Sequence, residues 1–289
     1  MSPSRTRAAR DWAALPRDIL VDVFFKLGPR EIMMGAEFAC KPWRSAALEE
    51  PTLWRRVDFE PWHPWEQRWG RVDPYARMEM LLVAVDRAKG QCEAFKGDCN
   101  DDFLAALVGS APTLKSLHVE YSSEDNTEVV LDEALKKLTL LDDLEICFDV
   151  RIVDWAGNML QSVCHACPRL KNLNIRWGGV GYTESKFNME PIDNQIPVMH
   201  DLQTLKLYEC DLSCWGLNSI LDNCPQLETL YISGYFNERE MDKELRVKCA
   251  RVKNLSLPTS AYDGYSSDDY CSQDEDYDSQ DEDDDSELE

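Results

Sequence analysis

The sequence has no apolar run approaching the ~20 residues needed to cross a bilayer, and no apolar stretch follows its N-terminal basic residues Arg5, Arg7 and Arg10, as a secretory signal would require. It has four histidines (His63, His118, His165 and His200), no serine or cysteine with an evident paired base, and no glycine-rich phosphate loop. Positive charge is also scarce: 31 Lys and Arg stand against 54 Asp and Glu, for a net charge of −23. Phosphate binding needs a basic face, so a direct nucleic-acid partner is not expected. The 11 cysteines are odd in number and lack paired framework spacing. Together with the missing export signal, this implies free thiols in a reducing compartment, nucleus or cytoplasm, and no glycan at Asn254-Leu255-Ser256. No membrane contact, cofactor or metal is implied.

The acidity is concentrated at one end. Residues 263–289 hold 14 Asp and Glu and no Lys or Arg, and without them the net charge is −9. This composition predicts a disordered acidic tail over 259–289 and, at the other end, a disordered leader over 1–11. Ser266, Ser272 and Ser279 each have an acidic residue three positions later, a pattern open to an acidophilic kinase. The plainer reading of the tail is a solubilising segment.

Next to the leader, Leu15, Ile19, Leu20, Val23, Phe24 and Leu27 recur at helical spacing, with Pro16 at the start and Gly28-Pro29 as the stop. Ile32, Met33, Ala36, Ala39 and Cys40 form a second apolar stretch, and Pro42 marks the start of a third helix through Trp43, Ala46 and Ala47. Three short helices in so small a unit make a marginal core, and their surplus apolar surface needs a cover from elsewhere. Leu15-Pro16-Arg17-Asp18-Ile19-Leu20 through Val23-Phe24, then Cys40-Lys41-Pro42-Trp43-Arg44, then Pro51-Thr52-Leu53-Trp54, resemble an F-box in order and separation. Pro42 departs from the polar residue more usual there, at a position where a helix start tolerates proline.

The middle of the chain is periodic. Six segments share L-x-x-L-x-[LIV], beginning at Leu114, Leu141, Leu170, Leu202, Leu227 and, with valine first, Val252. Their central leucines are 27, 29, 32, 25 and 25 residues apart, near the leucine-rich-repeat period. A helix-like stretch precedes each core, and Cys-Pro-x-Leu links helix to strand at Cys167–Leu170 and Cys224–Leu227. An additional early unit is expected around Cys92–Ser110. The 32-residue step contains Gly178, Gly179, Gly181, Pro191 and Pro197, so an irregular helix or extended loop is expected there. Cys164-His165-Ala166-Cys167 has metal-like spacing but no second pair, and is read as core. Trp62, Trp65 and Trp69 are read as a packed junction.

The expected fold is α/β: an F-box over 12–59, junction helices over 60–90, and a leucine-rich-repeat solenoid over 91–258, with a curved parallel sheet and outer helices. The whole resembles plant F-box/leucine-rich-repeat proteins. That resemblance implies a non-catalytic adaptor in which the F-box docks on a Skp-type adaptor, and through it on a cullin and a RING subunit, while the repeats hold a protein substrate for ubiquitination. By position it places Leu15, Pro16, Ile19, Leu20, Val23, Ile32, Cys40 and Trp43 at the adaptor contact. Outward strand positions on the concave face (His118, Glu120, Glu145, Asn174, Arg176, Lys206, Tyr208 and Tyr231) are the candidate substrate contacts. The competing reading is a ubiquitin-independent scaffold whose repeats and acidic tail bind basic partners such as histones.

Overall fold

In a computed structural model, which describes residues 11–59, 74–122, 127–148, 156–177 and 191–258, each repeated core becomes a strand whose alternate side chains point to opposite faces. The strands are β1 (Arg56–Asp58), β2 (Ala94–Cys99), β3 (Ser116–Tyr121), β4 (Asp143–Phe148), β5 (Asn172–Trp177), β6 (Thr204–Leu212), β7 (Thr229–Phe236) and β8 (Asn254–Ser256). They form one parallel sheet in sequence order. The central leucines fall into a single register row: Val57, Phe95, Leu117, Leu144, Leu173, Leu205, Leu230 and Leu255. The last apolar members make the next row through Val119, Ile146, Ile175, Leu207 and Ile232; the first row is buried from β2 to β7 and the second from β3 to β7.

The first leucine of each core lies ahead of its strand, where the chain turns in from a helix. Leu114, Leu141, Leu170, Leu227 and Val252 each donate their backbone N–H to the carbonyl three residues back, on Ala111, Leu138, Cys167, Cys224 and Cys249. Pro112, Pro168 and Pro225 sit second in these four-residue turns, where a fixed φ costs nothing. Behind the sheet lie α5 (Asp101–Ser110), α6 (Thr127–Lys137), α7 (Ala156–Ala166), α8 (Cys214–Asn223) and α9 (Lys243–Cys249). Hence the early unit is present: β2 leads into α5, capped by Asn100, whose side chain accepts the Phe103 N–H at 2.9 Å.

In the long step, residues 178–190 lie outside the described residues, and 191–203 contain no helix. Those residues are extended. Ile192 bridges to Leu212, the Met199 N–H donates to the Asn223 carbonyl at 2.7 Å, and Ile192, Ile196 and Met199 fill the core. The next strand is irregular: pairing of β6 with β7 shifts between Leu207 and Cys210, where Glu209 takes φ +59°. Opposite it, Gly234 has φ +138°, and a Cβ there would stand 1.9 Å from the Cys210 carbonyl oxygen.

The N-terminal helices are α1 (Arg17–Leu27), α2 (Pro29–Met34) and α3 (Lys41–Glu49), packed on Leu20, Phe24, Ile32, Met33, Ala46, Ala47, Leu53 and Trp54. Gly28 ends α1 at φ +84° with its N–H on the Phe24 carbonyl, and Pro29 starts α2. Pro42 sits in the first turn of α3, as its sequence position implied.

This unit is continuous with the sheet, since β1 leaves it directly to pair with β2. It is also bolted to α4 (Pro74–Arg87). The Arg87 guanidinium makes a paired contact with the Glu37 carboxylate at 2.6 and 3.3 Å, and lies 4.8 Å from the centre of the Trp54 ring. The Trp54 Nε1 in turn donates to the Ala47 carbonyl at 3.0 Å. The Trp62, Trp65 and Trp69 cluster, the leader and the acidic tail with its three serines lie outside the described residues.

Two stability outcomes follow from these contacts. Arg87→Met leaves the Glu37 carboxylate, 7% exposed, buried without its partner, and should cost about 3–5 kcal/mol in urea unfolding; adding Glu37→Met should recover most of that loss. Gly234→Ala should cost at least about 1–3 kcal/mol, whereas Gly109→Ala in α5, where a Cβ meets nothing within 4 Å, should stabilise by about 0.5–1 kcal/mol.

Candidate functional site

The helical head closes its own core and still leaves apolar side chains in solvent. Among the described residues, 14 large hydrophobic side chains are exposed, and seven of them fall between residues 12 and 48: Trp12, Ile19, Phe25, Leu27, Met34, Phe38 and Leu48. Half of these exposed side chains thus come from a small fraction of the chain, with Phe38 at 64% and Ile19 at 45% exposure.

The residues expected at the adaptor contact divide by depth. Pro16 and Ile19 are exposed, and Leu15, Val23, Cys40 and Trp43 are half-buried. Leu20 and Ile32 are core side chains, 2% and 0% exposed, because the first faces inward from α1 and the second from α2. Trp43 is held by an edge-on contact with Phe24 (5.6 Å between ring centres) and by an Nε1 hydrogen bond to the Trp12 carbonyl at 3.0 Å. Trp12, Phe25, Leu27, Met34, Phe38 and Leu48 are exposed as well and were not among the expected contacts. Their exposure could not be read from periodicity, although Phe25 directly after an inward Phe24 was a signal.

The second surface is the sheet face turned away from the helices. All eight outward residues named from the sequence fall in two neighbouring rows. One runs Lys96, His118, Glu145, Asn174, Lys206, Tyr231 and Ser256, and the other Asp98, Glu120, Cys147, Arg176 and Tyr208. Strict alternation also predicts the row before them, Ser116, Asp143, Asn172, Thr204 and Thr229, which the sequence reading left out.

The face is chemically split. Its early strands carry Asp98, Glu120, Asp143 and Glu145 beside Lys96 and His118, whereas β5–β7 carry Arg176, Lys206, Tyr208 and Tyr231, with Glu209 and Asp211 also on β6. The Arg176 guanidinium sits 4.5 Å from the centre of the Tyr208 ring, and Tyr208 and Tyr231 lie 4.9 Å apart at a 40° tilt. The register brings these residues together from three strands far apart in sequence.

Ser116, His118 and Asp143 have the composition of a proton relay but not its geometry. The Asp143 Oδ2 accepts from Ser116 Oγ at 2.7 Å and pairs with His118 Nε2 at 2.8 Å, and that same ring nitrogen is the one facing Ser116, at 3.3 Å. A relay needs hydroxyl and carboxylate on opposite ring nitrogens. The Cys147 thiol on this face is pushed up by burial, away from the thiolate. Cys164 and Cys167 are core residues, with burial raising both thiols, Cys167 to about 12. Among the described residues, no group of three or more His, Cys, Asp or Glu is placed to hold a metal.

The hydrogen bond to Asp143 raises the His118 pKa above the usual imidazole value, and the same contact lowers that of Asp143. The stabilisation carried by the raised His118 is full below about pH 6.5 and is lost as pH rises through the folded-state value; the Asp143 share is lost only in acid. His118→Gln should therefore lower the Tm more at about pH 6 than at about pH 9, read by thermal melts of both proteins across that range.

Residues 12–60 match the F-box-like family model. The chain is 29% identical to the Arabidopsis thaliana protein named F-box/LRR-repeat protein 23 over 266 residues, covering 90% of this chain and 56% of that protein. The chain thus spans little more than half of that relative's length. It is 28% identical over 260 residues to F-box/LRR-repeat protein 22, covering 89% of this chain and 80% of the relative, and 26% identical over 246 residues to F-box protein SKIP1, covering 78% and 79%, both also from Arabidopsis. With an F-box-like head leading straight into a parallel leucine-rich-repeat sheet, the chain is similar over most of its length to plant F-box/leucine-rich-repeat proteins.

Proposed function

We propose that this chain is the substrate-recognition subunit of a Skp–cullin–F-box ubiquitin ligase: the helical head binds a Skp-type adaptor, which joins it to a cullin and a RING subunit, and the open sheet face holds the protein to be ubiquitinated. One observation carries the reading. A three-helix unit whose interior is already filled by Leu20, Phe24, Ile32 and Trp54 still exposes Ile19, Phe25, Phe38 and their neighbours. Exposed aromatic and branched side chains at that density are the makings of an interface core. The chain's own role is mechanical: it positions a substrate near a ubiquitin-charged enzyme through two surfaces that α4 and β1 hold in fixed relation. A reducing compartment, nucleus or cytoplasm, fits ten described cysteines that are all unpaired.

Co-expression with a Skp-type adaptor tests the reading. The full chain should co-purify with it, and Ile19→Asp together with Phe25→Ala should weaken the complex at least about 30-fold, the equivalent of roughly 2 kcal/mol at an interface hot spot. Thermal melts should show both side chains to be dispensable for folding. Undiminished binding by the double variant would remove the assigned surface. Tail-dependent capture of histones with no adaptor binding would favour the scaffold reading instead.

A further inference from the structure

Outside the head, exposed aromatic side chains are gathered in one place. Among the described residues five large aromatic side chains are exposed: Trp12, Phe25 and Phe38 belong to the helical head, and Trp215 and Tyr235, 64% and 49% exposed, do not. These two share the rim where β6 and β7 end. Tyr235 is in register with Asp211, and Phe236 with Leu212, the last residue of β6. Two residues later Cys214 opens α8, with its thiol on the Asn237 carbonyl at 3.8 Å, just past the end of β7. Trp215 follows it. The backbone therefore holds Trp215 and Tyr235 within about 20 Å of each other. An exposed tryptophan and tyrosine beside a candidate substrate face have the composition of an interface hot spot.

The charge around this rim is mostly acidic and unpaired. On the solenoid's flank, Glu93, Asp142, Asp222 and Glu228 each meet a lysine. At the rim, Asp193, Asp211, Glu240 and Asp242 form no ion pair with any described residue. Neutral donors hold them instead: the Ser213 hydroxyl on Asp193, the Tyr235 backbone on Asp211, the Asn237 amide on Glu240 at 2.7 Å and the Leu245 N–H on Asp242 at 2.7 Å. Burial raises the Asp211 carboxyl above its ordinary value, a cost that a cation beside it would offset. The Cys214 thiol is pushed up by burial and further by the Glu240 and Asp242 carboxylates, so both acids lie near the start of α8. Of the cations nearby, Arg246 already donates to the Glu238 carbonyl at 3.1 Å, and Arg239 is exposed between Glu238 and Glu240. Arg176 and Lys206 stand farther back on the open face, Lys206 about 17 Å before Asp211 along β6. Electron-rich rings among carboxylates favour a cation, which gains a ring face and a counter-charge together. We propose that the Trp215–Tyr235 rim seats an arginine- or lysine-bearing segment of a partner polypeptide, with Asp211 and Glu240 as counter-charges. It rests on the substrate-receptor reading only in calling that partner a substrate, and adds the partner's chemistry.

A random dodecapeptide library selected on the full-length protein tests the seat without a known partner. Counter-selection on the Trp215→Ser, Tyr235→Ser double variant, which keeps every charge of the chain, removes peptides held by acidic residues elsewhere. Both side chains lie in solvent, so thermal melts of the variant should match wild type. Surviving peptides should be enriched in Arg and Lys, and should bind wild type at least about ten-fold more tightly than the variant. Asp211→Asn and Glu240→Gln should each weaken them at least about three-fold, as should about 0.5 M NaCl, where the Debye length shrinks to a few Å. No surviving peptide, survivors without an excess of cations, or affinities unchanged by both carboxylate substitutions would each overturn the assignment. Adaptor co-purification should be equal for the double variant and wild type. Failure of the seat therefore leaves the ligase reading intact, and failure of adaptor binding by the Ile19 and Phe25 test leaves the seat intact.

Discussion

A strand with a single helix behind it cannot cover its own apolar face, and almost everything in this molecule follows from that limit. Each unit presents a central leucine and a second aliphatic residue that stay wet until the next unit arrives. The register rows through Leu117, Leu144, Leu173, Leu205 and Leu230 are the result: one core shared by seven strand pairings, with no repeat stable on its own terms. The same limit explains the long step. Where residues 191–203 do not form a helix, Ile192, Ile196 and Met199 still have to supply apolar cover, and an extended segment delivers it.

The helical head obeys the constraint in a different way. Its core is small, and two devices borrow stability from the solenoid: β1, which hands the head's last residues to the sheet, and the Glu37–Arg87–Trp54 contact, which buries an ion pair against an indole. A buried pair with both partners present is close to neutral in net energy, but its geometry is demanding. Here it joins the head, through Glu37, to the end of α4, through Arg87. The apolar side chains that remain exposed are those the solenoid does not reach.

Chemistry on the open face depends on position along the solenoid. Because the sheet is parallel and in sequence order, each repeat contributes one residue to each row, and a drift in composition between repeats becomes a gradient across the surface. The change from mostly acidic early strands to the tyrosines, Arg176 and Lys206 of β5–β7 is that drift made spatial. The irregularity at Glu209 and Gly234 falls at the aromatic end, beside Tyr208.

Much of this was legible in the residues. The L-x-x-L-x-[LIV] cores, the Cys-Pro-x-Leu turns and the Gly28-Pro29 and Pro42 helix boundaries are local: a period of two, a preset φ and a missing N–H act over a few residues, so the strands of the six repeated cores, eight of the outward positions and the three head helices could be written down in advance, whereas β1 was not. Depth and juxtaposition could not. Ile19 and Leu20 are adjacent and equally apolar, yet one is exposed and the other buried, because the difference lies in where α2 and α3 pack. Glu37 and Arg87 are 50 residues apart, and Arg176, Lys206 and Tyr231 lie on three separate strands; no local pattern links them. The sequence alone determined which residues repeat and which way they alternate, since those are short-range properties of the backbone. Only the tertiary structure decided which charges find partners and which apolar faces stay uncovered, since both depend on what the stacking of distant segments brings within a few ångströms.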